Sequence, residues 1–204
     1  IGHNANNYDA KLLLTDYKKN LHQKKDQFKV FAKNKEKFCC MSLGRFAFLD
    51  SCAFIGTSLE KAVEALLAKG KDNFKYVRRF TENDEKFDLL LRKQIFPYEF
   101  MISKEKLEYV GLPPKSEFYD SLKSSNISDS EYQHASKVYR TFSCKNMRDY
   151  MNLYVSLDVL LLADVFETWR KLCFEGFGLE VVKYVSLPSY CFDALFKMTG
   201  TELE

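Results

Sequence analysis

DYMNLYVSLDVLLLADVFETWRKLC, residues 149–173, has the length of a full helix. Its apolar positions, Tyr150, Leu153, Tyr154, Leu157, Leu161 and Val165, recur at spacings of three and four, which is the helical period. The run is apolar enough around its circumference to be buried on more than one face. Asp158 interrupts it one turn after Tyr154, so a phenol and a carboxylate project from the same side of the helix. An ionised carboxylate among leucines is costly to desolvate unless a cation or a donor compensates it. Asp158 therefore reads in two ways, as a carboxylate at a solvent gap or helix cap, or as a metal ligand.

Working outward, the chain has 204 residues and is 46% hydrophobic, enough for one large domain or one domain and the start of another. Aromatics are frequent, with 18 Phe and 12 Tyr. The formal charge of +3 balances 31 basic against 28 acidic residues, so net charge alone does not point to nucleic acid. A lysine cluster from Lys18 to Lys37 is explained by a solvated surface. The six cysteines show no C-x-x-C spacing and His is too sparse to complete a zinc site. Cysteines inside apolar patterns predict buried free thiols and suit an intracellular, reducing compartment. No apolar run reaches the ~20 residues of a membrane span, and none is expected. The opening Ile1-Gly2-His3 has no signal-peptide pattern and reads as a segment of something longer.

The first residues predict a strand end, a polar turn and a short helix, with Asp9 at the helix N-terminus as either a cap or a ligand. Short strands are expected at about 28–32, 38–43 and 45–50, with turns at Asn34-Lys35 and Gly44. Ser58 is placed to cap a helix whose Leu59, Ala62, Val63 and Leu66 share a face and which Gly70 stops. A helix is expected over 83–92 and an extended stretch around Pro97. Ser128 and Glu131 form a capping box for the next helix. Gly176, Gly178 and Pro188 mark a break after about Cys173, a candidate domain boundary.

Two fragments fit together. Asn4-x-x-x-Tyr8-Asp9 and Tyr154-x-x-x-Asp158, in this order, resemble the second and third motifs of the proofreading 3′→5′ exonuclease domain of family B DNA polymerases. FLDSCAFIGTSLEKAVEAL, RKQIFPYEFM, LPPKSEFYDSL, DVLLLADVFETWRKLC and YVSLPSYCFDALFKMTG look like its protein-primed branch, from viruses, linear plasmids and Polinton/Maverick transposons. The resemblance implies an α/β, ribonuclease H-like domain over residues 1–175, a mixed sheet flanked by helices without its first strand. Residues 176–204 would then begin the polymerase region. It implies a two-Mg²⁺ hydrolysis of single-stranded DNA ends, since hard cations take carboxylate oxygens and activate water.

In that scheme Asp158 and Asp9 hold metal, Tyr154 orients the attacking water, and Asn4 and Tyr8 contact the frayed primer strand. Ser58-Leu59-x-x-Ala62 and Lys93-x-x-Phe96 resemble two further blocks that bind single-stranded DNA, although a helix cap and a surface lysine explain the same residues. A terminal protein primer is an implied partner of the parent polymerase. One element departs from the family pattern. Its first motif, Asp-x-Glu, should precede Asn4 and is absent, and Asp129-Ser130-Glu131 lies inside the capping box. The rival expectation is a non-catalytic nucleic-acid-binding module on the same fold.

Overall fold

Short apolar-rich strands and a two-residue turn at Gly44-Arg45 build the sheet. Phe28–Ala32 (β1), Phe38–Leu43 (β2) and Phe46–Leu49 (β3) pair antiparallel in that order, with Phe28 opposite Leu43 and Leu43 opposite Phe46 across Gly44-Arg45. This computed structural model describes residues 1–5, 9, 11–12, 15, 28–32, 38–121 and 124–201. Among them the architecture is mixed α/β, with this small sheet and seven bounded α-helices. The helices are Cys52–Ile55 (α1), Leu59–Ala68 (α2), Lys75–Phe80 (α3), Asp84–Leu90 (α4), Asp129–Thr141 (α5), Met147–Phe177 (α6) and Leu187–Thr199 (α7). The described helices include none long and apolar enough to cross a membrane.

The chain divides into two compact units, one of residues 1–58 and 166–204 and one of residues 59–165. In the first, Leu49, Phe54, Phe166, Val181, Tyr190 and Ala194 form the core, with Trp169 and Phe177 packed against it. In the second, α2 buries Leu59, Ala62, Val63 and Leu66, the face expected from their spacing. Asn83 caps α4 by accepting from Lys86 N at 2.9 Å. The Ser128–Glu131 capping box closes in both directions at the start of α5. The expected turn at Asn34-Lys35 falls outside the described residues.

Helix α6 runs past the break expected at Cys173. Gly176 costs the helix about 1 kcal/mol relative to alanine, but the Phe177 ring beyond it meets the first unit's core, and packing carries the helix on. It stops at Gly178, whose φ of 63° is left-handed. Pro188 opens α7 from its first turn, where a missing N–H costs nothing. Burial on α6 is also narrower than its composition suggests, since Val155, Val159, Leu172 and Phe174 are exposed. The thiols correct another expectation: five are half-buried and Cys191 is exposed.

The deepest carboxylate of α6 is Asp164, which is 2% exposed. Its two oxygens accept the N–H groups of Tyr76 at 2.8 Å and Val77 at 3.0 Å. These are orphan donors of the first turn of α3, so a carboxylate distant in sequence serves as that helix's cap. Burial pushes the Asp164 carboxyl up, and the α3 amides and Arg79 oppose the shift.

A second buried network joins α5 to the segment after α4. Gln94 donates from Nε2 to the carbonyls of Arg92 at 2.8 Å and Leu89 at 3.1 Å, and its Oε1 lies 3.1 Å from His134 Nε2. Burial, then Arg92 and Lys137, pull the His134 pKa down to about 4. The neutral ring with its proton on Nε2 suits the amide oxygen it faces. A histidine depressed below its ordinary value contributes full stability above about pH 6.5 and loses it as the pH falls toward 4. Urea unfolding should therefore show a loss of roughly 1–2 kcal/mol over that window, after allowance for the ring's partial exposure. His134→Gln should flatten that part of the profile.

Candidate functional site

Stacked rings hold the extended 93–98 segment against α6. Phe96 lies between Tyr150 and Tyr154, with centroids 6.2 Å and 4.9 Å away, and meets Tyr98 edge-on at 5.3 Å. Tyr150 donates its hydroxyl to the Ile95 carbonyl at 2.7 Å. The aromatic spacing on α6 thus fixes where the loop runs. A cavity of about 530 Å³ opens beside it, lined among others by Arg92, Lys93, Phe96, Tyr98, Tyr119 and Tyr154.

Tyr154 is 7% exposed and its hydroxyl lies 2.5 Å from that of Tyr98. Asp158 stands one turn along α6 from Tyr154, as the spacing of the two residues predicts, and its carboxylate acts on the phenol electrostatically. Burial first, then these two partners, push the Tyr154 phenol well above its ordinary range. It stays protonated at neutral pH.

Cations and carboxylates share the cavity rim. Arg92 is exposed and Lys93 half-buried. Glu60, Glu99, Asp120 and Glu131 also line it. Glu131 takes part in the capping box, and Glu99 accepts from Ser121 N at 2.6 Å. Rings with flat faces beside Lys93 and Arg92 are the pairing that stacks bases and meets phosphates.

The remaining sequence-predicted residues have other surroundings. Leu59, Lys93, Tyr154 and Asp158 belong to the 59–165 unit, and Asn4, Asp9 and Ser58 to the other. Leu59 is turned into its unit's core, 6% exposed. Ser58 is exposed immediately before α2. Asp9 is exposed and helical, as are Lys11, Leu12 and Thr15. Tyr8 lies outside the described residues.

Asn4 is exposed with a left-handed backbone, φ 58°, and the residues that hold it are ones the motif reading did not name. Gly2 forms a parallel bridge to Asp50, donating to the Leu49 carbonyl at 3.0 Å and accepting from Ser51 N at 2.8 Å. Asp50 Oδ1 accepts Asn4 N at 2.8 Å and Cys52 N at 3.0 Å. Asp50-Ser51, polar residues directly after an apolar strand and followed by a helix, was the signal available.

Metal ligation is less complete. Among the described residues no three His, Cys, Asp or Glu side chains gather as a group that could hold a metal ion. The described donor set therefore does not fit a pair of Mg²⁺ ions, which need several carboxylate oxygens between them. Compared with protein-family models, curated proteins and solved structures, the chain matches none.

The hydroxyl pair is testable by a double-mutant cycle. Tyr98→Phe and Tyr154→Phe should each destabilise the protein, with a coupling of about 1 kcal/mol between them. Urea denaturation of the four proteins measures it, and strict additivity would show that the two hydroxyls do not act as a pair.

Proposed function

We propose that this chain is part of a protein-primed family B DNA polymerase. Residues 1–175 carry most of its proofreading 3′→5′ exonuclease domain, of ribonuclease H-like type, and residues 176–204 begin its polymerase region. The observation that carries the reading is the Tyr154–Asp158 pair, a protonated phenol one helical turn from a carboxylate, with the phenol lining a cavity shared by Lys93 and aromatic rings. The ordered match of Asn4-x-x-x-Tyr8-Asp9 and Tyr154-x-x-x-Asp158 supports it from the sequence.

The residues then divide by what they touch. Lys93 meets a backbone phosphate of a single strand, and the rings beside it take sugar or base. Asn4, Tyr8 and Ser58 contact the same class of ligand, DNA near a primer terminus. Tyr154, protonated at neutral pH, orients the attacking water. Asp158 and Asp9, each in its own unit, would be the carboxylates this chain contributes to Mg²⁺ in a parent protein whose first motif supplies the others. A terminal protein primer belongs to the parent polymerase.

A second reading is a strand-binding module without catalysis, favoured by the lack of a three-ligand group among the described residues. Single-turnover hydrolysis separates the two. In a parent protein carrying the family's Asp-x-Glu, Asp158→Ala and Asp9→Ala should each lower the rate on a single-stranded oligonucleotide by about 10²-fold or more, leaving binding intact. Tyr154→Phe should be milder. An unchanged rate in Asp158→Ala would remove the nuclease assignment and leave the binding module.

Binding itself is tested on the 204-residue chain. Lys93→Ala should weaken single-strand affinity and reduce the slope of log affinity against log salt by about 0.7, one phosphate contact. A salt series of gel shifts reads this directly. An unchanged slope would return Lys93 to the ordinary surface.

A further inference from the structure

The segment Gly2–Ala5 is a tight turn held at several points by the end of β3. Ser51 is fully buried and donates its hydroxyl to the Gly2 carbonyl at 2.9 Å, in addition to its backbone bond to the same oxygen. Because that hydroxyl proton is spent, the 2.9 Å contact between His3 Nδ1 and Ser51 Oγ requires the proton on Nδ1. A Cβ on Gly2 would stand 2.4 Å from the Ala5 methyl, so only glycine allows the turn to close this far. Asn4 follows in a left-handed conformation, which asparagine tolerates better than most residues but does not prefer. Its N–H points inward to Asp50 while the residue itself stays exposed.

From this geometry we propose that Asp50 is a positioning residue: its buried carboxylate holds the left-handed Asn4 turn, through the Asn4 backbone N–H, in the shape that presents the Asn4 side chain to a single-stranded nucleic-acid end. This rests on the reading of Asn4 as a strand contact given above. Asp50 is 4% exposed and cannot touch the strand itself. One oxygen gathers two amides, Asn4 N from the turn and Cys52 N from the first residue of α1, and so ties the turn to the helix that follows β3. Removing that oxygen leaves two donors to find other partners and lets Asn4 relax toward ordinary backbone angles. An asparagine at the same place keeps the accepting oxygen.

The test is a fluorescence-anisotropy titration of a labelled oligothymidylate with the 204-residue chain and its variants. Asn4→Ala and Asp50→Ala should each weaken binding about tenfold, and the double variant should bind no worse than either single one. Asp50→Asn should stay within about threefold of the parent, since the acceptor survives. Asp50→Ala combined with Lys93→Ala should multiply, because the two act on separate contacts.

If Asn4→Ala leaves affinity unchanged, the reading of Asn4 fails, and the positioning role with it. If Asn4→Ala weakens binding while Asp50→Ala does not, or the two losses multiply, Asn4 stands and the Asp50 inference falls. Should Asp50→Ala lose its melting transition, hydrogen exchange on the parent chain decides instead. The Asn4 amide should be protected from exchange, and rapid exchange there would overturn the proposal.

Discussion

A carboxylate withdrawn from water must be given donors, or it costs several kcal/mol. Three aspartates meet that requirement in three ways. Asp164 takes amides from the first turn of α3. Asp50 takes amides from the Asn4 turn and from α1. Asp158 stands one helical turn from a phenol, Tyr154, whose hydroxyl meets that of Tyr98. The first two are supplied by backbone and behave as joints. The third lies next to a side-chain hydroxyl at a cavity, an arrangement open to chemistry.

Much of this was visible in the sequence wherever the information was local. The helical face of Leu59, Ala62, Val63 and Leu66, the Ser128–Glu131 box and the three short strands each depend on neighbours a few residues away. The Tyr154–Asp158 contact is likewise one turn of helix. What could not be read depends on distant partners. Asp158 and Asp164 are both acids in an apolar helix, and only the approach of α3 determines which is the deeper. Asp50 reads as an ordinary strand-end acid until Asn4 is brought back to it from 46 residues away. The end of α6 differs from the sequence expectation for a related reason, because packing by Phe177 outweighs a glycine's preference.

The proposed polymerase reading sets different demands on the two units. The 59–165 unit offers a cavity with cations, flat rings and a protonated phenol. The other offers a turn whose backbone is fixed from behind while Asn4 faces outward. Under that proposal both hold a flexible strand, whose own entropy must be restrained before any hydrolysis can occur.

Trp169 is the single tryptophan of the chain, and it packs beside Phe54 and Phe166, each 5.7 Å away, in the core of the 1–58 and 166–204 unit. Indole emission therefore reports on the opening of that unit alone. The helical signal in the far ultraviolet draws on both, since α2 to α5 lie wholly in the other. The chain thus carries a built-in optical distinction between its halves. Whether the two spectra melt together or apart measures how far the units unfold as one, with no label attached.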